Sequence, residues 1–350
     1  MTIEHLLVRD FRNLSSVELT PGPGVNCLYG DNGAGKTSLI EAIYLLARGR
    51  SFRSAQLAPV IRHGCEALSV VARLQEGHRL GVERSRESWR GRIDGQDCQR
   101  LSEFAAALPL VLIEPDSHRL VDGGPERRRQ FLDWQLFHVE QGYLQSWQRY
   151  SRLLKQRNAA LRATASDLTI KAIESPMAVA AEQINALRHA QVERLQAVMT
   201  ELSTAVAFRL PGDIQLTYRP GHPGGFDLIQ AWDEQRSSDR ERGFTQRGPH
   251  RADLKLTCAG HPAAVALSRG QQKLLAVTLL LSQLSILEQT AHAAPILLLD
   301  DPVSELDARH LDALFSWLPQ QRHQAWITTT AKPSQSFMMF HVEQGRLVDG

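Results

Sequence analysis

The chain has 350 residues, 43% hydrophobic and 22% charged, enough apolar material for one large core or two smaller ones. Its formal net charge is only +2, so any grip on a polyanion must come from a local patch and not from the overall field. Glu4, Arg9 and Asp10 interrupt the amino terminus, no apolar run nears the ~20 residues of a bilayer crossing, and Cys27, Cys65, Cys98 and Cys258 form no close pair; these features point to a soluble cytoplasmic protein with neither disulfide framework nor zinc site.

In chain order, IEHLLVRDF and VELTPGPG read as strands, and VNCLYG runs into a glycine loop that opens a helix. That helix, SLIEAIYLLARG, places Leu39, Ile43, Leu46 and Ala47 on one face and stops at Gly49, as a glycine C-cap dictates. The short segments LSVVARL, HRLGVER and WRGRIDG predict antiparallel strands. After the apolar strand LPLVLIEP the pattern becomes helical from about residue 120 to 245. Tyr143, Trp147, Tyr150, Leu154 and Leu161 form one stripe, and Ile184, Leu187, Gln191, Leu195, Val198, Leu202 and Ala205 a second, with Ser175-Pro176 as a helix start. Strands return at GPHRADLKLTCAG, followed by the helix RGQQKLLAVTLLLSQLSILEQ and the strands PILLLD and QAWITTT. The charged stretch DEQRSSDRERG is the one compositionally biased segment.

The stretch GDNGAGKTSL carries the strongest chemistry. Gly30, Gly35, Lys36 and Thr37 satisfy G-x-x-x-x-G-K-[ST], in which glycines let backbone N–H groups close around phosphates, the lysine reaches the β and γ phosphates and the hydroxyl ligates magnesium. The expected ATP site is therefore Gly30, Asp31, Asn32, Gly33, Ala34, Gly35, Lys36, Thr37 and Ser38, at the positive end of a helix. The apolar run ILLLDD delivers Asp300 and Asp301 to the carboxyl edge of a buried parallel sheet. There Asp300 suits water-mediated Mg2+ binding and Asp301 suits orientation or deprotonation of an attacking water. Pro302 also makes this pair a plausible helix cap.

LSRGQQK, by itself only a serine N-cap, resembles the signature segment of ABC-type ATPases when it lies between those two motifs. In that superfamily the segment binds the γ-phosphate of a nucleotide held by the opposite subunit, which implies roles in trans for Ser268, Arg269 and Gly270. SELD, Ser304 to Asp307, resembles the loop that crosses the same dimer interface. FRN at 11 to 13, GDNGAGKTSLIEAIYLLARGRSFR, PERRRQFLDWQLFH, LLKQRNAALR, GPHRADL, LSRGQQKLL and LLLDDPVSELD resemble the RecF family of bacterial DNA repair proteins from end to end. The resemblance implies an ATP-dependent DNA-binding protein that dimerises on ATP, works with RecO and RecR at gaps joining single- and double-stranded DNA, and helps RecA replace the single-strand-binding protein.

The expected architecture is α/β: a P-loop ABC-type ATPase head from residues 1–115 and 246–350, interrupted by a mainly helical arm at 116–245. Two departures from the wider superfamily favour a weak ATPase acting as a switch. Asp301 is one methylene shorter than the usual glutamate, and ITTT puts Thr328 or Thr329 where a switch histidine normally stands. Gln56 is the only candidate offered for a magnesium-sensing glutamine. Arg127, Arg128, Arg129, Arg149, Arg152, Lys155 and Arg157 are the candidate DNA contacts on the arm, although 34 of the 40 cationic residues are arginine, which weakens any arginine cluster as evidence. The interleaved aromatics Trp134, Phe137, Tyr143, Trp147 and Tyr150 read better as core than as stacking platforms. The alternatives are a transporter's cytoplasmic subunit, which needs a membrane partner, an SMC-like chromosome protein, for which the insertion is short, and a P-loop kinase without a DNA role.

Overall fold

The computed structural model describes residues 2–54, 58–98, 100–205, 208–224, 227–290 and 294–348. The chain begins with β1 (Ile3–Phe11), β2 (Leu14–Leu19), β3 (Val25–Tyr29), α1 (Lys36–Arg48), β4 (Ala67–Leu74), β5 (Arg79–Ser85), β6 (Trp89–Ile93), β7 (Gln96–Cys98), α2 (Leu101–Ala107) and β8 (Leu110–Ile113). It continues through α3 (Arg119–Asp122), α4 (Pro125–Val139), α5 (Tyr143–Arg162), α6 (Asp167–Ala205), β9 (Ile214–Arg219), α7 (Leu228–Arg242), β10 (Asp253–Cys258), β11 (His261–Pro262), α8 (Ala263–Ala266) and α9 (Arg269–Thr290). It ends with β12 (Ile296–Leu299), α10 (Pro302–Glu305), α11 (Ala308–Trp317), β13 (Gln324–Thr329), β14 (Met338–Glu343) and β15 (Arg346–Val348). Among the described residues no helix is long and apolar enough to cross a membrane.

Two compact units emerge, one from residues 1–117, 202–209 and 277–350, the other from 118–201 and 210–276. The first contains a sheet in the order β15-β14-β3-β13-β12-β8, parallel from β14 to β8. Ile296 to Leu299 and Gln324 to Thr329 are buried throughout, as strands covered on both faces must be. Its second sheet, β2-β1-β4-β5-β6-β7, is antiparallel, and β1 buries Ile3, Leu6, Val8 and Phe11 between more exposed positions. Leu39, Ile40, Ile43 and Leu46 of α1 share one core with Leu6 and Val70 of the antiparallel sheet and with Leu298 and Trp326 of the parallel one. That packing fixes the helix whose amino terminus carries the glycine loop.

The second unit packs α4 to α7 with a three-stranded sheet ordered β11-β10-β9. Residues 246–276, expected in the head, cluster here instead, because β10 finds its antiparallel partner in β9, from Asp253 opposite Arg219 to Cys258 opposite Ile214. Ser175-Pro176 does not start a helix either. Pro176 lies inside α6, whose buried residues continue on both sides of it at Ile170 and Met177. Burial there outweighs the amide hydrogen bond that proline cannot donate. DEQRSSDRERG forms most of α7 and buries Arg236 and Asp239. Tyr143 and Tyr150 join Trp232, Met177 and Ile184 in the core of this unit, with Trp147 packed against it.

His250 closes that core against Tyr150, with Nδ1 2.7 Å from the Tyr150 hydroxyl and Nε2 3.0 Å from the Thr245 carbonyl oxygen. A carbonyl only accepts, so Nε2 carries the proton and Nδ1 accepts from the tyrosine, which describes a neutral ring. Burial pushes the imidazole down to about 4, while the bond to the Thr245 carbonyl opposes the shift. Because the unfolded ring binds its proton near 6.5, stability is full above that pH and falls as pH drops towards 4, by about 3 kcal/mol from this group. A His250→Gln variant should therefore show a flatter decline in unfolding free energy between pH 6.5 and 4 than the parent. Parallel pH profiles would remove this account.

Candidate nucleotide site

The glycine loop joins β3 to α1 and takes backbone angles that side chains resist. Gly30 has φ 146° and Gly35 φ 115°; a Cβ on Gly30 would lie 2.2 Å from the Val342 carbonyl oxygen, and one on Gly35 2.8 Å from Leu14 Cδ2. Lys36 Nζ donates to the carbonyls of Gly30 at 2.7 Å and Asp31 at 2.8 Å, which pulls the loop around its ammonium. The loop is braced from outside as well. Asn13 Nδ2 donates to Gly33 O at 3.1 Å, Ser38 Oγ donates to Asn13 Oδ1 at 2.8 Å, and Gly345 N donates to Ala34 O at 2.7 Å.

The loop opens onto a cleft of about 900 Å³ whose lining residues all belong to the first unit. Asn32, Gly33, Gly35, Lys36, Thr37 and Ser38 line it, whereas Gly30, Asp31 and Ala34 shape the loop through the carbonyl bonds just described. Thr37 Oγ1 donates to Asp300 Oδ1 at 2.8 Å, so the hydroxyl of the glycine loop and the carboxylate at the end of β12 meet, 263 positions apart in sequence. Burial raises the Asp300 carboxyl above its ordinary value, while hydrogen bonds from Thr37 and Thr328 and the charge of Arg53 oppose the shift. Burial lowers the Lys36 ammonium, opposed by Asp301, Asp300 and Asp31. Asp301 lines the cleft and takes a left-handed conformation, φ 49° and ψ 56°, which costs on the order of 1 kcal/mol for a side-chain-bearing residue.

A hydroxyl and a carboxylate oxygen within hydrogen-bond distance beside a buried ammonium fit a hydrated Mg2+ with phosphates, and Thr37 and Asp300 are the residues that would hold the ion. When bound, Mg2+ supplies neutralisation of phosphate charge.

The cleft also brings in residues that the sequence did not mark for a role. Arg12 and Asn13 form the turn between β1 and β2, and both line the cleft. Arg12 clamps the fully buried Glu41 through Nε at 3.0 Å and Nη2 at 2.6 Å, and donates to Pro59 O at 3.0 Å. Ser51 Oγ donates to the same carboxylate, and Arg53 Nη1 stands 3.8 Å from it, half exposed to the cleft. FRN and GRSFR were legible as motifs, yet a glutamate in the middle of an amphipathic helix gave no signal that it would anchor them. Gln56 lies outside the described residues.

Ser268, Arg269 and Gly270 belong to the second unit and are exposed. Ser268 forms a capping box with Gln271: its N–H donates to Gln271 Oε1 at 2.9 Å, while its Oγ accepts from Gln271 N at 3.4 Å. In the SELD segment Ser304 Oγ donates to the Asp301 carbonyl at 2.9 Å, and Asp307 caps α11. Of the arm cations, Arg127, Arg149, Arg152 and Lys155 are exposed. Arg157 is not available to DNA, and this corrects the expectation for it. Its side chain is 0% exposed and donates to Glu174, Asp239 and Thr245. Arg128 is likewise held by Asp253 and the Gly123 carbonyl, and Arg129 Nη1 donates to the Ala252 carbonyl, so both serve as internal ties. Helical spacing alone could not separate Arg152 from Arg157, because the partners of Arg157 come from other segments of the chain.

Comparison with known proteins adds independent findings. The family model described as RecF/RecN/SMC N terminal domain matches residues 2–344. The DNA replication and repair protein RecF of Pseudomonas syringae pv. tomato is 40% identical over 364 aligned positions, covering 99% of this chain and 98% of that protein. Its counterpart in Nitrosococcus oceani is 39% identical, with 99% of both chains covered. Among solved structures, the recombination mediator protein RecF-ATP in the RecFOR pathway superposes with a TM-score of 0.87 at 26% identity, over 99% of this chain and 96% of the other. The Smc head domain of Pyrococcus furiosus, at TM-score 0.59 and 16% identity, shares the fold.

Proposed function

The chain belongs to the RecF family of DNA replication and repair proteins, and from that premise we propose that it is an ATP-gated clamp on DNA, working in the cytoplasm with RecO and RecR at gaps during recombinational repair. The observation that carries the reading is the junction of Lys36, Thr37, Asp300 and Asp301 at one cleft, supported by the RecF-ATP relative. ATP occupies the glycine loop with Mg2+ at Thr37 and Asp300, and Ser268 of a second copy completes the γ-phosphate contacts. Nucleotide binding therefore closes a homodimer. Asp301 orients the attacking water, and its short reach makes hydrolysis a slow timer for release rather than a motor.

Arg127, Arg149, Arg152 and Lys155 make the DNA phosphate contacts. The last three share one helix, α5, whose sequence YLQSWQRYSRLLKQRNAALR contains no acidic residue to neutralise them.

Sedimentation with labelled gapped DNA, with and without ATP, tests the proposal. ATP-dependent dimers on DNA are expected for the parent and absent in Lys36→Met and Ser268→Arg. Reversal of Arg149, Arg152 and Lys155 to Glu should weaken DNA binding and flatten its salt dependence by ~0.9 per lost phosphate contact. A monomer that binds DNA equally well without ATP would sink the clamp, and an unchanged salt slope would remove α5 from the interface.

A further inference from the structure

We propose that Thr328 is a positioning residue that ties the Asp300 carboxylate to the backbone of Asp301. This inference rests on the ATPase reading above. Thr328 is 1% exposed near the end of β13, the strand that pairs in parallel with β12 from Gln324 opposite Ile296 to Ile327 opposite Leu299. Its single hydroxyl is used in both directions. Oγ1 donates to Asp300 Oδ1 at 2.9 Å and accepts from the backbone N–H of Asp301 at 2.8 Å. A hydroxyl has one proton, so giving it to Asp300 leaves only lone pairs to face the amide, and the two bonds demand each other.

Two consequences follow for the site. Asp301 is held in its left-handed conformation from both sides: its N–H is bound by Thr328 and its carbonyl by Ser304 N at 3.0 Å and Ser304 Oγ at 2.9 Å. Asp300 Oδ1 accepts two hydroxyls, one from the nucleotide loop at Thr37 and one from Thr328. Were Thr37 to ligate a metal ion, Thr328 would remain the donor that keeps Asp300 in register with Asp301. The neighbouring threonines do not share this task. Thr329 Oγ1 donates to the Ala331 carbonyl at 2.7 Å, and Thr330 is exposed. Thr328 acts through the Asp300 carboxylate and the Asp301 backbone, which suits a slow clock.

The test compares Thr328→Val, which keeps the shape and removes the hydroxyl, with Thr328→Ser, which keeps the hydroxyl and removes the methyl. Thr328→Val should lower kcat for ATP by about 10- to 100-fold, the scale of a misplaced general base, while ATP affinity stays within about threefold of the parent. Thr328→Ser should retain kcat within about threefold of the parent. A second reading needs no turnover: backbone amides of residues 300–306 should exchange with solvent faster in Thr328→Val than in either the parent or Thr328→Ser. A purely packing role predicts the reverse ranking, with the serine variant the more damaged. Parent-like kcat and exchange in Thr328→Val overturn the inference while leaving the ATPase reading intact. A parent protein that neither hydrolyses ATP nor dimerises with it overturns both.

Discussion

An Arg157→Ala variant is expected to lose about 3–5 kcal/mol of stability in the second unit, the scale observed when one partner of a buried ion pair is removed. The guanidinium of Arg157 is 0% exposed and sits between Glu174 and Asp239, whose side chains are 1% and 0% exposed. Truncation leaves Asp239 with hydrogen bonds from Gln246 but no cation, and Glu174 with only Arg236, at 2.7 Å, so at least one carboxylate stays buried without its cation. It also removes the face-on contact with the Trp232 ring, 5.4 Å from the guanidinium carbon. Lysine would not rescue it, because one ammonium cannot reproduce a fork that meets Glu174 through Nε and Nη2 and Asp239 through Nη1. Denaturant unfolding followed by tryptophan fluorescence measures the loss. A variant as stable as the parent would mean that these charges are solvated in solution. Any fall in DNA binding by this variant should track unfolding, whereas Arg152→Ala should weaken DNA binding with the fold intact.

An Asp301→Asn variant is expected to slow ATP turnover by about 100-fold or more while leaving ATP binding unchanged. Asparagine matches aspartate in shape and tolerates the left-handed conformation that Asp301 adopts, so the backbone bonds to Thr328 and Ser304 survive. What disappears is the acceptor charge to which the proposed function assigns the water. Lys36 keeps its bonds to the Gly30 and Asp31 carbonyls and remains able to meet phosphate. The clamp should therefore close and stay closed, and dissociation from gapped DNA in ATP should slow by a factor similar to the loss of turnover. Single-turnover hydrolysis and DNA dissociation measured on the same preparation test the two together. Parent-like hydrolysis would assign the water to another group, and lost ATP binding would show that the carboxylate supports the loop.

Much of the candidate site was written in contiguous stretches. Gly30 to Ser38 is legible because the glycine angles, the start of α1 and the reach of Lys36 are set within one turn of backbone. Asp300 and Asp301 are legible because four buried apolar residues before them announce a central strand and therefore the edge where it ends. The aromatic spacing on α5 correctly assigned Tyr143 and Tyr150 to core.

The remainder depended on partners that local pattern does not name. Arg152 and Arg157 have the same chemistry on the same helix, and only the arrival of Glu174 and Asp239, 17 and 82 positions away, makes one internal and leaves the other at the surface. Residues 246–276 left the expected head because β10 pairs with β9, and antiparallel register is decided by whichever strand is there to complete the ladder. Glu41, Arg12 and Ser51 became one anchor only when the β1–β2 turn folded onto α1. The sequence by itself determined the glycine loop and the carboxylate pair, since backbone sterics and strand periodicity act over a few residues. The tertiary structure alone decided which charges are buried and which strands close each unit, since desolvation and strand pairing depend on residues far apart in the chain.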